Sequence, residues 1–369
     1  MIRKSILTAV LFCITLWLSG CGGSSSPNPV SPGQIKYSGW AVGVEPDGGY
    51  GMIIHTNDSG NTWVRQGSVN EIPDVPLGDV CAINSMNAWV VGDSSDGYGL
   101  ILRTTDGGST WVRQGSNGVI PDCALSGIRA VNNMIAWAAG TNGVILKTVD
   151  GGITWTRVDH GMVPGEGLLQ SVWGVDENTA WVSGADSNSG FIIMKTTDGG
   201  QSWVRQGTTE QMSNYTCIIE ITALNEMNAW GVGAPQESYG HTPFLNTVDG
   251  GENWTNQAPA DTALLHGNGV CVASSNTIWV AHDEGIYLTR DGGLTWSIFA
   301  PPGPYGSFSP FMGVSAVDDK TAWVVFNGLL SGDYYIIQHT GDGGATWTQQ
   351  ATPVTKGGLR RISIVGAKR

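Results

Sequence analysis

Apolar and polar positions along this chain follow a short-strand rhythm. Brief runs of Val, Ile, Leu, Ala and Trp alternate with clusters of Gly, Asn, Asp, Ser and Pro, the pattern that strands and tight turns require. Beyond the N-terminal segment no stretch keeps a helical period. Four kinds of run recur in a fixed order. Run A reads Val80-Cys81-Ala82-Ile83 or Ile128-Arg129-Ala130-Val131, and run B reads Ala88-Trp89-Val90-Val91-Gly92. Run C is an apolar stretch such as Leu100-Ile101-Leu102, and run D opens at the Trp that closes the string Thr104-Thr105-Asp106-Gly107-Gly108-Ser109-Thr110-Trp111. The runs are nearly continuously apolar, which suits sheets covered on both faces.

The string before run D occurs seven times, ending at Trp63, Trp111, Trp155, Trp203, Trp254, Trp296 and Trp347, with spacings of 48, 44, 48, 51, 42 and 51 residues. Run B supplies a second set in step with it: Trp40, Trp89, Trp137, Trp181, Trp230, Trp279 and Trp323. A period in the forties with four short strands per repeat predicts an all-β, seven-bladed propeller of four-stranded antiparallel blades. The first repeat begins at run B, and an unpartnered run A, Ile362-Ser363-Ile364-Val365, stands near the C-terminus. Seven complete sheets therefore require the C-terminal strand to finish the N-terminal blade, which removes an open edge.

The repeated string falls between runs C and D, at a hairpin. Its Asp can accept hydrogen bonds from nearby backbone N–H groups, and a Gly two residues on can take a positive φ. The first copy reads Asp58-Ser59-Gly60, so only the second Gly of the pair is present in all seven. Asp58, Asp106, Asp150, Asp198, Asp249, Asp291 and Asp342 read as scaffold. Each copy offers one carboxylate, whereas calcium takes six to eight oxygens.

These strings resemble the Asp-box, or bacterial neuraminidase repeat. Such boxes occur in sialidases, some endoglucanases, sortilin-like receptors and the photosystem II assembly and stability factors. Over residues 36–369 the chain is similar to the last group, through Ala-Trp-x-x-Gly runs alternating with Asp-Gly-Gly-x-Thr-Trp. That resemblance implies a non-catalytic propeller that holds a protein partner; it does not imply a photosynthetic role.

Residues 1–20 have the layout of a secretory leader: Arg3 and Lys4, then a mostly apolar stretch from Ile6 to Leu18. Leu18-Ser19-Gly20-Cys21 resembles the bacterial lipoprotein box, which implies a lipid-modified Cys21 and export to the cell envelope. Gly22 in place of Asp implies the outer membrane if the cell is Gram-negative. Residues 21–35, rich in Gly, Ser and Pro, read as a tether reaching roughly 40 Å when extended. Residues 36–369 form the propeller, expected to be monomeric and to meet the membrane only through the lipid. The formal charge of −13 argues against nucleic acid as a partner.

Candidate chemistry is sparse. Arg65, Arg113, Arg157 and Arg205 each follow a box Trp by two residues, forming an outer-strand ladder that reads either as edge blunting or as a patch for an acidic partner. No arginine triad, Ser/His/Asp arrangement or phosphate loop stands out, and no cofactor is expected. His241, His266 and His282-Asp283-Glu284 lack fixed metal-ligand spacing. Cys81, Cys123, Cys217 and Cys271 could pair in three ways or remain free thiols. Loops B–C and D–A, on the face away from the boxes, vary most. Their Tyr50, Tyr98, Tyr239, His241, Tyr305 and Tyr334 form the candidate binding face. A protein partner fits them, with a glycan, bound or hydrolysed, as the alternative.

Overall fold

The structure, a computed structural model, describes residues 36–45, 51–68, 71–93, 97–115, 119–159, 167–186, 190–207, 214–236, 242–260, 262, 265–300, 311–327, 335–353 and 358–366. They form seven four-stranded antiparallel sheets. The inner A strands of blades 2 to 7 are Leu77–Ala82, Leu125–Ala130, Leu168–Gly174, Tyr215–Ala223, Gly267–Val272 and Phe311–Ala316. Blade 1 takes its A strand from the other end of the chain: Gly358–Gly366 pairs antiparallel with Tyr37–Val44, with Trp40 opposite Ser363. The sequence-predicted closure is therefore present, and the strand order of that sheet is A-B-C-D like the rest.

The core lies between blades rather than within one. Trp89 and Ile101 of blade 2 cluster with Ile128, Leu146 and Trp155 of blade 3. At the closing boundary, Ile54 and Trp63 of blade 1 cluster with Trp323 and Ile337 of blade 7 and with Ile362 and Ile364. The two tryptophan sets meet here. The B-strand indole of one blade packs edge-on against the box indole of the next: Trp89 on Trp155 at 5.7 Å, Trp137 on Trp203 at 6.1 Å, Trp181 on Trp254 at 5.9 Å and Trp279 on Trp347 at 6.3 Å. The box Trp thus joins blades as well as covering its hairpin.

Each box is a small hydrogen-bonded knot. In blade 2, Thr104 Oγ1 donates to Asp106 Oδ1 at 2.8 Å and accepts from the Gly108 N–H at 2.8 Å. Asp106 accepts from the Thr110 N–H at 3.0 Å and the Thr110 hydroxyl at 2.7 Å. These donors hold the Asp106 carboxyl down at about 2, and Asp198, Asp249, Asp291 and Asp342 sit at about 2 for the same reason.

The second box Gly has two reasons to be glycine. At Gly152 φ is +88°, and an added Cβ would stand 2.7 Å from the Trp89 ring of the preceding blade. The D strand of the preceding blade also reaches this point. Gln66 accepts from Trp40 Nε1 at 2.8 Å and donates to the Gly107 carbonyl of the next box at 2.7 Å. Across the closure Gln350 also donates to the next box, at Ser59 O, but accepts from that box's own indole, Trp63 Nε1, both at 3.0 Å. Ser59 replaces the first Gly because blade 1 has no A–B turn beside its box. There the Tyr37 N–H donates to Ser59 Oγ at 3.0 Å and the Ser59 N–H to Tyr37 O at 2.9 Å.

Candidate functional site

The A strands enclose a central channel, and every one carries a β-bulge at the same place. Gly78, Ser126, Gln170, Ile219, Asn268, Met312 and Arg360 are the extra residues. A bulge lets two successive side chains turn toward the same side. With Asp93, Leu125 and Arg361 these seven line a mouth of about 380 Å³. It opens on the face away from the boxes, because A strands start here and end at the A–B turns, whose carbonyls accept from the box (Gly107 N–H to Met86 O, 2.9 Å).

Below the mouth lies a smaller chamber of about 80 Å³, bordered by Asp79, Arg129, Trp173, Glu220 and Arg361 among others. The Arg129 guanidinium lies 3.5 Å from the centre of the Trp173 ring, a cation–π stack. Asp79 accepts from the N–H groups of Val80 at 2.8 Å and Ile128 at 2.9 Å. Enclosure pushes the Asp79 carboxyl upward against the pull of Arg361, and pushes Glu220 up to about 7.

The chamber wall is also a belt between blades. Backbone N–H groups donate across the boundary: Ala82 to Ser363 Oγ at 3.0 Å, Ala130 to Cys81 Sγ at 3.3 Å, and Ile221 to Ser171 Oγ at 3.3 Å. The series continues with Val270 to Glu220 Oε2 at 3.1 Å, Ala316 to Cys271 Sγ at 3.2 Å and Ile364 to Ser315 Oγ at 3.0 Å. The boundary of blades 3 and 4 has the Arg129–Trp173 stack instead. Sequence reasoning placed Cys81 and Cys271 in equivalent A-run positions but missed the belt. Part of its signal is the polar second place of an A run, at Cys81, Cys271, Ser315 and Ser363, whereas Ser171 and Glu220 stand one place before their runs. All four described cysteines are free, and burial pushes Cys123, Cys217 and Cys271 up to about 11, so these thiols are inert at neutral pH.

Of the candidate binding-face residues, Tyr98 is described. It lines an open groove of about 490 Å³ with Val119, Pro121, Asp122, Trp155 and Arg157, and the Arg113 guanidinium stacks 4.8 Å from its ring centre. Tyr50, Tyr239, His241, Tyr305 and Tyr334 lie outside the described residues, as does Cys21. The arginine ladder is engaged within its own blades. Arg65 pairs with Glu45, Arg157 with Asp159 and Arg205 with Asp186, which fits edge blunting rather than an open cationic patch.

His282 is fully buried, its Nε2 3.2 Å from Thr242 Oγ1, and His266 faces Asp283 at 3.1 Å. Among the described residues no three His, Cys, Asp or Glu side chains converge as metal ligands. A serine–histidine contact exists at Ser38 Oγ and His55 Nε2, 3.0 Å apart. It is ill-suited to attack: Ser38 is buried and donates to Thr56 O at 3.1 Å, the ring stacks on Trp40 at 4.4 Å, and burial lowers His55 to about 4.

Residues 74–180 match the family model described as photosynthesis system II assembly factor YCF48. No curated protein sequence matches the chain. Solved structures of YCF48 share the fold. YCF48 bound to a D1 peptide is 17% identical with a TM-score of 0.57, over 80% of this chain and 94% of that one. YCF48 from Cyanidioschyzon merolae is 24% identical with a TM-score of 0.56, over 77% and 87%. A GH74 enzyme from Niastella koreensis is 15% identical over 88% of this chain and 69% of that one, with a TM-score of 0.46, too weak to carry an argument. The chain is a seven-bladed Asp-box β-propeller, similar over residues 74–180 to the YCF48 family of photosynthesis system II assembly factors.

Proposed function

We propose that this protein is a non-catalytic scaffold of the bacterial cell envelope, exported and lipid-anchored through Cys21, that presents its loop face and channel mouth to a protein partner. The observation that carries the reading is the sevenfold bulge. It devotes the loop-side end of every inner strand to a mouth lined by residues of mixed chemistry, Ser126, Gln170, Asn268, Met312 and Arg360 among them, while the rest of the blade is spent on packing. A similar propeller, YCF48, has been solved with a D1 peptide bound, which supports a peptide segment as the kind of ligand.

A glycan-hydrolysing reading finds less support. Asp79 and Glu220 share the channel chamber, but at about 80 Å³ it is far smaller than the roughly 300–1,000 Å³ of small-molecule sites. The test is a crosslinking pull-down from envelopes with the lipidated protein, run beside an Arg360→Glu, Gln170→Glu variant. A partner recovered with the native chain and lost with the variant is expected. Equal recovery with both, or hydrolysis of a sugar panel abolished by Glu220→Gln, overturns the reading.

A further inference from the structure

The box-bearing face differs from the mouth in two ways. First, both ends of the propeller emerge there: Tyr37 bonds to Ser59 of box 1, and Gly366 pairs with Tyr37. Thirty-five residues precede Lys36, and the fifteen positions from Cys21 to Lys36 span roughly 45 Å when extended. Second, this face exposes large apolar side chains that no blade covers. Met86, Met134 and Met227 stand in A–B turns, while Ile153, Val248 and Leu294 stand in or beside boxes at 79%, 66% and 82% exposure. Along the ring they fall on two runs of neighbouring blades, 2 with 3 and 5 with 6. Around these side chains sit the box carboxylates, which their hydrogen bonds hold at about 2.

We propose that the box-bearing face rests against a zwitterionic bilayer surface, with the exposed apolar side chains of blades 2, 3, 5 and 6 at headgroup level and the channel mouth turned outward. The proposal rests on the lipid-anchor reading of Cys21 and adds a protein surface to a membrane contact that the sequence assigns to the lipid alone. The tether holds the face near lipid, so contacts too weak to bind alone suffice. The box carboxylates outnumber the cations Arg103, Lys147, Lys195 and Arg290 that bond to box carbonyls, which makes an anionic surface unfavourable.

The test uses the acylated full chain in vesicles of phosphatidylethanolamine and phosphatidylcholine with brominated acyl chains. Bimane is attached at Ser109→Cys on the box face or Asp122→Cys at the loop rim, and labelling of the protein without an added cysteine is subtracted. Quenching several-fold stronger at position 109 than at 122 is expected, falling with Ile153→Asp, Leu294→Asp or with added phosphatidylglycerol. Equal quenching, the reverse order, crosslinking of one chain to another through position 109, or absence of an acyl group on Cys21 by mass overturns the proposal. A pull-down without a partner leaves this comparison intact, so the two readings fail separately.

Discussion

A buried threonine is the hinge of each box. Thr104, 1% exposed, both donates to Asp106 and receives the Gly108 N–H. Thr104→Val keeps the shape and removes both bonds. It should cost about 1–3 kcal/mol, because the Gly108 N–H is left unpaired in the interior; urea denaturation of the variant checks this. The boxes also set an acid limit. Their carboxyls are depressed in the folded state, so the stability they give is complete above the unfolded value near 4 and is lost as pH falls through about 2. Glu220 has the opposite sign. Raised to about 7 when folded, it favours folding less as pH climbs from about 4.5 through 7. Glu220→Gln should therefore melt higher than the native protein at pH 8, by roughly 1–3 kcal/mol, and lose that advantage near pH 4.5. Thermal melts at the two pH values decide it; a variant less stable at pH 8 contradicts the assignment.

At the scale of strands and turns, a blade is held to its neighbour more elaborately than to itself. The D-strand Gln, the B-strand Trp and the C-strand cation all point across the boundary. Lys195, for example, lies 4.7 Å from the centre of the Trp181 ring while its Nζ donates to Gly250 O of the next box at 3.2 Å. Gly152→Ala meets this packing directly. It combines a positive φ with a clash on Trp89, so a loss of roughly 2–4 kcal/mol is expected, against little change for Ala at exposed Ser109. Denaturation midpoints of the pair test it. The strands and boxes were legible in the sequence because Trp, Gly and Asp recur at fixed spacing there. The bulges were not. Gly78, Ser126, Gln170, Ile219, Asn268, Met312 and Arg360 share no side-chain type, and an extra residue in a strand is a matter of register that no composition records. The chamber escaped for a related reason. Arg129 and Trp173, or Asp79 and Glu220, are brought together by the ring, not by any spacing along the chain.

For the whole molecule, the blade number and the mode of closure were readable by counting runs, since seven B, C and D runs met seven A runs only if the ends were shared. The candidate binding face was readable only as the face with variable loops. Closure by the C-terminal strand makes a further expectation. Deleting residues 358–369 bares the edge of Tyr37–Val44 and empties the places of Leu359, Ile362 and Ile364, which are nearly buried. The shortened chain should unfold at lower temperature in a broadened transition. A synthetic peptide of the missing residues should restore the sharp one, as scanning calorimetry would read; an unchanged melt contradicts it.

That shared sheet also imposes an order on biogenesis. Tyr37–Val44, Gly51–Thr56 and Val64–Gln66 wait for Gly358–Gly366 before their blade is whole. A polypeptide emerging N-terminus first carries an unfinished edge until that distant strand has been made, and only then can the ring lock.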